Sequence, residues 1–125
     1  MATILLVDDD ADIRDLIELY LTRRGHDVTS AGDGLKAIEA LRHASFDVLL
    51  SDVSMPGMSG LELTTWVRRE HQDPGLPVLL VTALNTAADR ERGLAAGASD
   101  YMFKPFSLAA LEARVSALVD TPDPR

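Results

Sequence analysis

Carboxylates, a hydroxyl and an ammonium group each follow a short apolar run in this sequence, at Asp8-Asp9-Asp10, Asp52, Thr82 and Lys104. Carboxylates that converge without a cation repel one another, and a hard divalent ion such as Mg²⁺ relieves that repulsion. A carboxylate can also act as a nucleophile toward phosphorus, with an ammonium group and a hydroxyl as partners for the phosphoryl oxygens. These residue types predict Mg²⁺-dependent phosphoryl chemistry with Asp52 as the best nucleophile.

The apolar runs before these residues have the composition of buried strands. Runs 4–7, 48–50 and 78–81 are rich in aliphatic and β-branched residues and show no polar alternation, as strands covered on both faces do. Weaker strand candidates span 27–31 and 100–103. Ligands of parallel sheets lie at the carboxyl ends of the strands, so this arrangement would bring the four polar segments to a single site.

Segments with helical spacing of apolar residues alternate with the five strands. Asp10 or Asp12 is expected to cap the first helix and Asp33 the second, and Gly25 predicts the end of the first. Five strand–helix repeats predict an α/β fold, a doubly wound five-stranded parallel sheet with five helices in a three-layer sandwich.

Composition limits the classes of function open to the chain. Its 125 residues fit one domain, its formal net charge is −8, and it has no cysteine. The acidic charge argues against binding of nucleic acid or membrane by this domain, and the lack of cysteine excludes a thiolate zinc site. No apolar run suffices for a transmembrane helix and no signal segment is visible, so a cytoplasmic location is predicted. The three histidines follow no ligand spacing and are expected at the surface: His26, His43 and His71.

Four motifs together resemble a known family. Val7-Asp8-Asp9, the segment 52–57, Thr82-Ala83, and Tyr101 followed by Lys104-Pro105-Phe106 resemble the receiver domain of bacterial two-component response regulators. The resemblance covers essentially residues 2–119, so a single receiver domain is predicted over 1–119, with the start of a linker or a frayed tail over 120–125. It implies a flavodoxin-like fold with strand order 2-1-3-4-5.

The resemblance also implies a role for each site residue. Asp52 would accept a phosphoryl group, Thr82 and Lys104 would contact its oxygens, and the Lys104–Pro105 peptide bond would be cis. A metal ion, Mg²⁺ or alternatively Mn²⁺, would be held by four residues: Asp8, Asp9, Asp52 and, through its carbonyl, Ser54. Such a domain is a signalling switch rather than a turnover enzyme, because it catalyses only its own phosphorylation and dephosphorylation.

The partner implied by the resemblance is a histidine kinase or a phosphotransfer protein whose phosphohistidine donates the phosphoryl group. It is expected to dock beside the site on Ile13, Arg14, Ile17, Pro105 and Phe106. Output is expected through the fourth helix, fifth strand and fifth helix, toward an effector domain or partner protein. Residues 93–101 and 111–114 resemble the winged-helix transcription-factor subfamily, whose receivers dimerise through this face. The resemblance thus admits a homodimer, although Ala95, Ser99 and Ala110 stand where acids are common.

Thr82 and Tyr101 are expected to form the switch. Phosphorylation would draw the Thr82 hydroxyl toward Asp52 and let the Tyr101 ring turn inward. In the unmodified protein Tyr101 is therefore expected to point outward, or to take both positions, with Thr82 away from Asp52. Leu84 is expected to affect the lifetime of the phosphorylated form.

Two other interpretations fit parts of the sequence. The run Asp8-Asp9-Asp10-Ala11-Asp12 matches the first half of the nucleophile motif of haloacid-dehalogenase-type phosphatases, which would make Asp8 the modified residue, but it departs from that motif at Asp12. The segment 32–37 fits a loose dinucleotide fingerprint, G-x-G-x-x-A. It follows the second strand rather than the first, and Asp33 would repel a pyrophosphate, so a helix start is the preferred interpretation.

Overall fold

The chain forms five strand–helix units in succession, as a computed structural model describes them over residues 1–120. The strands are β1 (Thr3–Val7), β2 (Asp27–Ala31), β3 (Val48–Ser51), β4 (Val78–Thr82) and β5 (Asp100–Phe103). The helices are α1 (Ala11–Arg23), α2 (Gly34–His43), α3 (Gly60–Glu70), α4 (Ala87–Ala95) and α5 (Leu108–Asp120). The predicted tail, residues 121–125, lies outside the described residues.

All five strands pair in parallel in the order β2-β1-β3-β4-β5, which confirms the predicted sheet. Backbone hydrogen bonds continue the pairing one residue beyond the strands at their carboxyl ends. The N–H groups of Asp8, Asp52 and Lys104 donate to Ala31, Val7 and Thr82 at 3.2, 3.0 and 2.8 Å. The predicted site residues are thus held by the sheet itself rather than by free loops.

The core lies in two layers, one on each face of the sheet. Alternate residues of each strand point to opposite faces, so Leu5 and Leu49 pack with α2 and α3, whereas Leu6 and Leu50 pack with α1 and α5. The residues in both layers are almost fully buried, and the sheet with its two helical layers confirms the three-layer sandwich.

Helix ends follow the sequence signals. Asp10 and Asp33 accept backbone hydrogen bonds as the N-caps of α1 and α2, which confirms the predicted starts. Ser59 and Thr86 cap α3 and α4 in reciprocal capping boxes. Gly25, just after α1, has a φ of 95°, a left-handed conformation that glycine adopts without strain. None of the helices described over 1–120 is long and apolar enough to cross a membrane.

His26 does not lie at the surface, so its predicted exposure is wrong. The side chain is buried at the amino end of the sheet, where Nδ1 accepts a hydrogen bond from the Ala2 N–H at 3.0 Å and Nε2 lies 3.0 Å from a Glu112 carboxylate oxygen. Both partners are distant in sequence, so no local spacing signals this burial. His43 is exposed, as predicted, and His71 is partly buried.

Candidate functional site

The ends of three strands, β1, β3 and β5, bring the predicted site residues to one edge of the sheet. Asp8 follows β1, Asp52 follows β3 and Lys104 follows β5, and the side chain of Lys104 reaches across the end of β4 to the two carboxylates. Its Nζ lies 2.7 Å from Asp52 Oδ2 and 3.0 Å from Asp8 Oδ2. The Lys104 side chain is 16% exposed, that of Asp52 10% and that of Asp8 5%, so these ion pairs form largely away from solvent.

Electrostatics keeps the ammonium group charged. Burial by itself would lower the pKa of Lys104, but hydrogen bonds and Coulomb attraction from Asp52 and Asp8 outweigh burial and raise that pKa above its ordinary value. The lysine therefore stays protonated and neutralises part of the carboxylate charge.

Backbone groups fix the remaining oxygens of these two carboxylates. The N–H of Asp10 donates to Asp8 Oδ1 at 2.9 Å, and the N–H of Ser54 donates to Asp52 Oδ1 at 3.1 Å. Each carboxylate thus has a fixed orientation, with one oxygen on the lysine and one on the loop that follows its own strand. Short loops after β1 and β3 are what make these contacts available.

A third carboxylate completes an acidic cluster. Oxygens of Asp8, Asp9 and Asp52 all lie within 4.8 Å of one another. Carboxylate oxygens are the ligands that hard divalent cations prefer, and Mg²⁺ in proteins is commonly held by one or two of them together with water. The donor set therefore fits the predicted ion. Ser54, the fourth predicted ligand, lies beside the cluster through its hydrogen bond to Asp52.

The backbone of Asp52 is held by a glycine that the sequence reasoning did not single out. Gly60 begins α3, and its N–H donates to Val53 O at 2.9 Å. A Cβ at this position would come within 2.1 Å of the Asp52 carbonyl oxygen, so only glycine lets α3 start against the acidic strand end. A glycine at the first turn of a predicted helix is the signal that could have found it.

Thr82 uses its hydroxyl within its own loop. Its Oγ1 accepts a hydrogen bond from the Leu84 N–H at 3.3 Å, and among the described residues it makes no hydrogen bond with Asp52. The Asp52 carboxylate accepts its hydrogen bonds instead from Lys104 Nζ and the Ser54 N–H. In this respect the threonine is as expected for the unmodified protein.

Tyr101 points inward, so its predicted outward position is wrong for this structure. The residue is only 2% exposed, and its hydroxyl donates to the Leu84 carbonyl at 2.8 Å. Gly93 of α4 provides the space, because a Cβ there would lie 2.7 Å from Tyr101 Cδ2. Burial raises the pKa of Tyr101 above its ordinary value. The inward ring therefore fills a space that glycine leaves open.

The predicted docking residues divide into two groups. Ile13, Pro105 and Phe106 line an apolar recess that also contains Lys104. Ile17 also lines this recess, but it is only 3% exposed and belongs to the core, so it offers little surface of its own. Arg14 is partly buried, and its Nη1 donates to the Asp8 carbonyl at 2.8 Å.

Comparison with known proteins identifies the family. A family model described as the response regulator receiver domain matches residues 4–116. The transcriptional activator protein PfeR of Pseudomonas aeruginosa is 44% identical over 116 residues, which are 93% of this chain and 37% of PfeR. The transcriptional regulatory protein AfsQ1 of Streptomyces coelicolor is 40% identical over 119 residues, which are 95% of this chain and 52% of AfsQ1.

A solved structure gives the same result. The receiver domain of the sensor histidine kinase PA1611 of Pseudomonas aeruginosa, with a magnesium ion coordinated in its active-site cleft, is 31% identical. It superposes with a TM-score of 0.88 over 96% of this chain and 98% of that domain.

The chain belongs to the receiver domain family of two-component response regulators. It spans about half the length or less of the curated relatives it matches. The phosphatase interpretation, with Asp8 as the nucleophile, is not supported. The dinucleotide interpretation also fails, since segment 32–37 forms the capped start of α2.

Proposed function

We propose that this domain is a phosphorylation switch in which Asp52 accepts a phosphoryl group from the phosphohistidine of a histidine kinase or phosphotransfer protein. The observation that carries the proposal is the bridge of Lys104 Nζ between Asp8 and Asp52 inside a cluster of three carboxylates. An ammonium group held at this point can move from a carboxylate oxygen to a phosphoryl oxygen without leaving the site.

The residues of the site have distinct roles in the proposed reaction. A carboxylate oxygen of Asp52 attacks the phosphorus, the P–N bond to the donor imidazole breaks, and its electron pair stays on the nitrogen. Lys104 and the Thr82 hydroxyl bind the phosphoryl oxygens. Asp8, Asp9, Asp52 and the Ser54 carbonyl would hold the metal. Bound Mg²⁺, or Mn²⁺ in its place, supplies charge neutralisation for the phosphoryl oxygens.

Dephosphorylation closes the cycle. Water attacks the phosphorus of the acyl phosphate, the P–O bond to Asp52 breaks, and the products are the free carboxylate and inorganic phosphate. The domain thus catalyses only its own phosphorylation and dephosphorylation. Leu84, partly exposed beside Thr82, carries no side-chain group that could orient the water, which favours a slow reaction.

The proposed readout passes through the loop after β4. Thr82 and Tyr101 both bond to Leu84, one to its N–H and one to its carbonyl. When Thr82 turns its proton toward a phosphoryl oxygen, the position of Leu84 and the packing of Tyr101 change together. The affected surface is that of α4, β5 and α5, which we propose contacts an effector domain or partner protein and regulates transcription, as the names of the relatives suggest.

Two kinds of protein partner are proposed. The kinase docks on the recess lined by Ile13, Ile17, Pro105 and Phe106. Arg14, the next residue after Ile13 in α1, would add a charged contact. A second copy of the chain would meet the α4–β5–α5 face, where Arg114 pairs with Asp100 of its own chain at 2.9 Å. We propose that the phosphoryl transfer occurs in the cytoplasm. We also propose that the receiver domain ends near residue 119.

The experiment that tests the proposal is chemical trapping. The protein is incubated with acetyl phosphate and Mg²⁺, reduced with borohydride and analysed by mass spectrometry. We expect the label on Asp52, its loss in Asp52→Asn, and its strong reduction when Mg²⁺ is removed by a chelator. Asp27→Asn, which changes an exposed acid at the start of β2 and far from the cluster, is the matched control and should be labelled normally. A label on Asp8 would contradict the proposal.

A further inference from the structure

The turn between β2 and α2, Gly32-Asp33-Gly34, borders the acidic site but has no part in the proposed chemistry. It follows the strand that pairs with β1, and the carbonyl of Ala31 just before it accepts the N–H of Asp8 at 3.2 Å. Neither glycine has a positive φ, a conformation confined to Gly25, Gly57 and Gly97 among the described residues. Backbone conformation therefore does not explain why glycine stands at these two positions.

Close packing explains Gly34. A Cβ at this position would lie 2.8 Å from Met58 Cβ and 2.9 Å from both Met58 Cγ and Sδ. Met58 belongs to the loop between β3 and α3, which follows Asp52 and contains Ser54. The loop can lie against the start of α2 only because Gly34 has no side chain. The overlap includes the Cβ of Met58, so a side-chain rotation alone cannot relieve it.

Gly32 leaves space for a second side chain, that of Arg14 in the first turn of α1. A Cβ at Gly32 would lie 3.3 Å from Arg14 Nη1, and this same nitrogen donates to the Asp8 carbonyl at 2.8 Å. Arg14 therefore fixes the backbone that carries Asp8, with its guanidinium group resting on the turn. The two glycines accommodate one side chain from the first turn of α1, which follows Asp8 and Asp9, and one from the loop that follows Asp52.

We propose that the Gly32-Asp33-Gly34 turn is a positioning element of the acidic site, because its glycines seat Arg14 and Met58, which hold the β1–α1 and β3–α3 loops in register. The proposal rests on the proposed function for the role of the site as a Mg²⁺ and phosphoryl site. It explains the sequence G-x-G without a nucleotide. Arg14 is thereby a positioning residue in addition to any contact with a kinase.

Gly34→Ala is the sharpest test, because the change should not otherwise disturb α2. Alanine favours a helix, and Asp33 keeps its capping bond to the Lys36 N–H at 2.8 Å. Mutation of a residue that supports metal ligands typically lowers metal affinity by about tenfold or more. We therefore expect Gly34→Ala to weaken Mg²⁺ binding by about tenfold, as measured by an NMR titration of the full chain. Gly32→Ala meets only a flexible tip and should weaken binding less.

A double-mutant cycle separates positioning from general damage. Met58→Gly removes all three atoms that a Cβ at Gly34 would meet. In the Met58→Gly background, Gly34→Ala should change Mg²⁺ affinity by less than about twofold, since the two residues interact directly. An equal loss in both backgrounds, or no loss from Gly34→Ala alone, would overturn the proposal.

Arg14→Met tests the contact at Gly32. Its effect on Mg²⁺ affinity should have one sign if only charge matters and the opposite sign if positioning matters. Removing a positive charge near carboxylates should tighten Mg²⁺ binding if charge alone matters. Positioning predicts weaker binding and slower labelling by acetyl phosphate, which needs no docking protein, with partial rescue by Arg14→Lys. Tighter binding would overturn the role of Arg14.

The outcome stays separate from that of the proposed function. If the unchanged chain bound no Mg²⁺ at the cluster, the proposed function would fail. The inference would then be judged from the Ser54 amide resonance in metal-free protein. A shift caused by Gly34→Ala in the unchanged background but not with Met58→Gly supports it, and an unshifted resonance overturns it.

Discussion

Two groups of charged side chains stand at opposite ends of the same sheet, and each joins residues far apart in sequence. At the carboxyl end, Lys104 bonds to Asp8 and Asp52, 96 and 52 residues away. At the amino end, Glu112 of α5 bonds to Arg24 and His26, 88 and 86 residues away. Both groups fasten the last part of the chain to the first half.

The two groups differ in how completely their charges are matched. Nδ1 of His26 must accept, because the Ala2 N–H can only donate, so the neutral ring donates its Nε2–H to Glu112. Glu112 then faces one guanidinium group, that of Arg24 at 2.9 Å. At the carboxyl end, a cluster of three carboxylates contains one ammonium group, that of Lys104, which pairs with Asp8 and Asp52.

This difference separates a structural group from a functional one. The amino-end group is complete, because each charge has a partner and nothing more is required. The carboxyl-end group leaves negative charge uncompensated, which costs stability unless a cation binds. Unmatched charge held rigidly in the fold is what a metal-dependent reaction needs.

The largest expected effect comes from Lys104→Met. Breaking a buried ion pair leaves uncompensated charge, so the free energy of unfolding without Mg²⁺ should fall by about 3 kcal/mol. Mg²⁺ should restore more stability to this variant than to the unchanged protein, since no ammonium group competes for the carboxylates. Urea denaturation with and without Mg²⁺ measures both quantities. The matched control is Lys36→Met at the exposed second lysine, and equal losses in the two variants would remove the distinction between the sites.

Glu112→Gln should have a smaller effect at pH 7. The amide keeps the shape of the side chain but loses a charge-assisted bond. We expect a loss of about 1.5 kcal/mol, the lower end for bonds to charged groups, because the Arg24 side chain is largely exposed. The loss should be the same with and without Mg²⁺, because the group is already complete. Urea denaturation again measures it, and a Mg²⁺-dependent loss would mean that the two ends are coupled.

The pH dependence of that loss gives a further test. The His26 hydrogen bond, with Arg24, outweighs desolvation and lowers the pKa of Glu112 below its ordinary value of 4.5. A lowered pKa contributes stability that is present above the ordinary value and disappears as pH falls through the folded-state pKa. The difference between the unchanged protein and Glu112→Gln should therefore hold steady at neutral pH and decline as the pH falls below 4.5, the ordinary pKa of the carboxyl group. A difference that persists in acid would assign the effect to packing.

Tyr101→Phe should give the smallest change, since it removes one neutral hydrogen bond beside the carboxyl-end group. The lost bond to the Leu84 carbonyl should lower the free energy of unfolding by about 0.5 kcal/mol, with the ring still seated on Gly93. Thermal denaturation measures the loss, and aromatic NMR reports the ring position. A large shift of the ring would show that the hydroxyl, rather than the space at Gly93, holds it inward.

Sequence reasoning predicted the carboxyl-end group and missed the amino-end group, because strand-end position determines the first group whereas helix packing determines the second. Asp8, Asp52 and Lys104 each follow an apolar strand, and parallel strands must bring their carboxyl ends together. His26 and Glu112 meet through the packing of α5 against α1, which no local pattern specifies. The inward Tyr101 was missed similarly, because its position depends on the missing side chain of Gly93 in a neighbouring helix.

The strand order was implied only by the resemblance to the receiver family. The sequence by itself determined the five strand–helix repeats, the capped starts of α1 and α2 and the residues that gather at the carboxyl edge. These follow from local periodicity, from side chains that bond to their own backbone, and from strand-end position. Only the tertiary structure decided which close approaches occur, such as Met58 on Gly34, Arg14 on Gly32 and Tyr101 on Gly93. Each of these three glycines leaves space, but the side chain that fills it comes from another segment of the chain, and packing alone selects it.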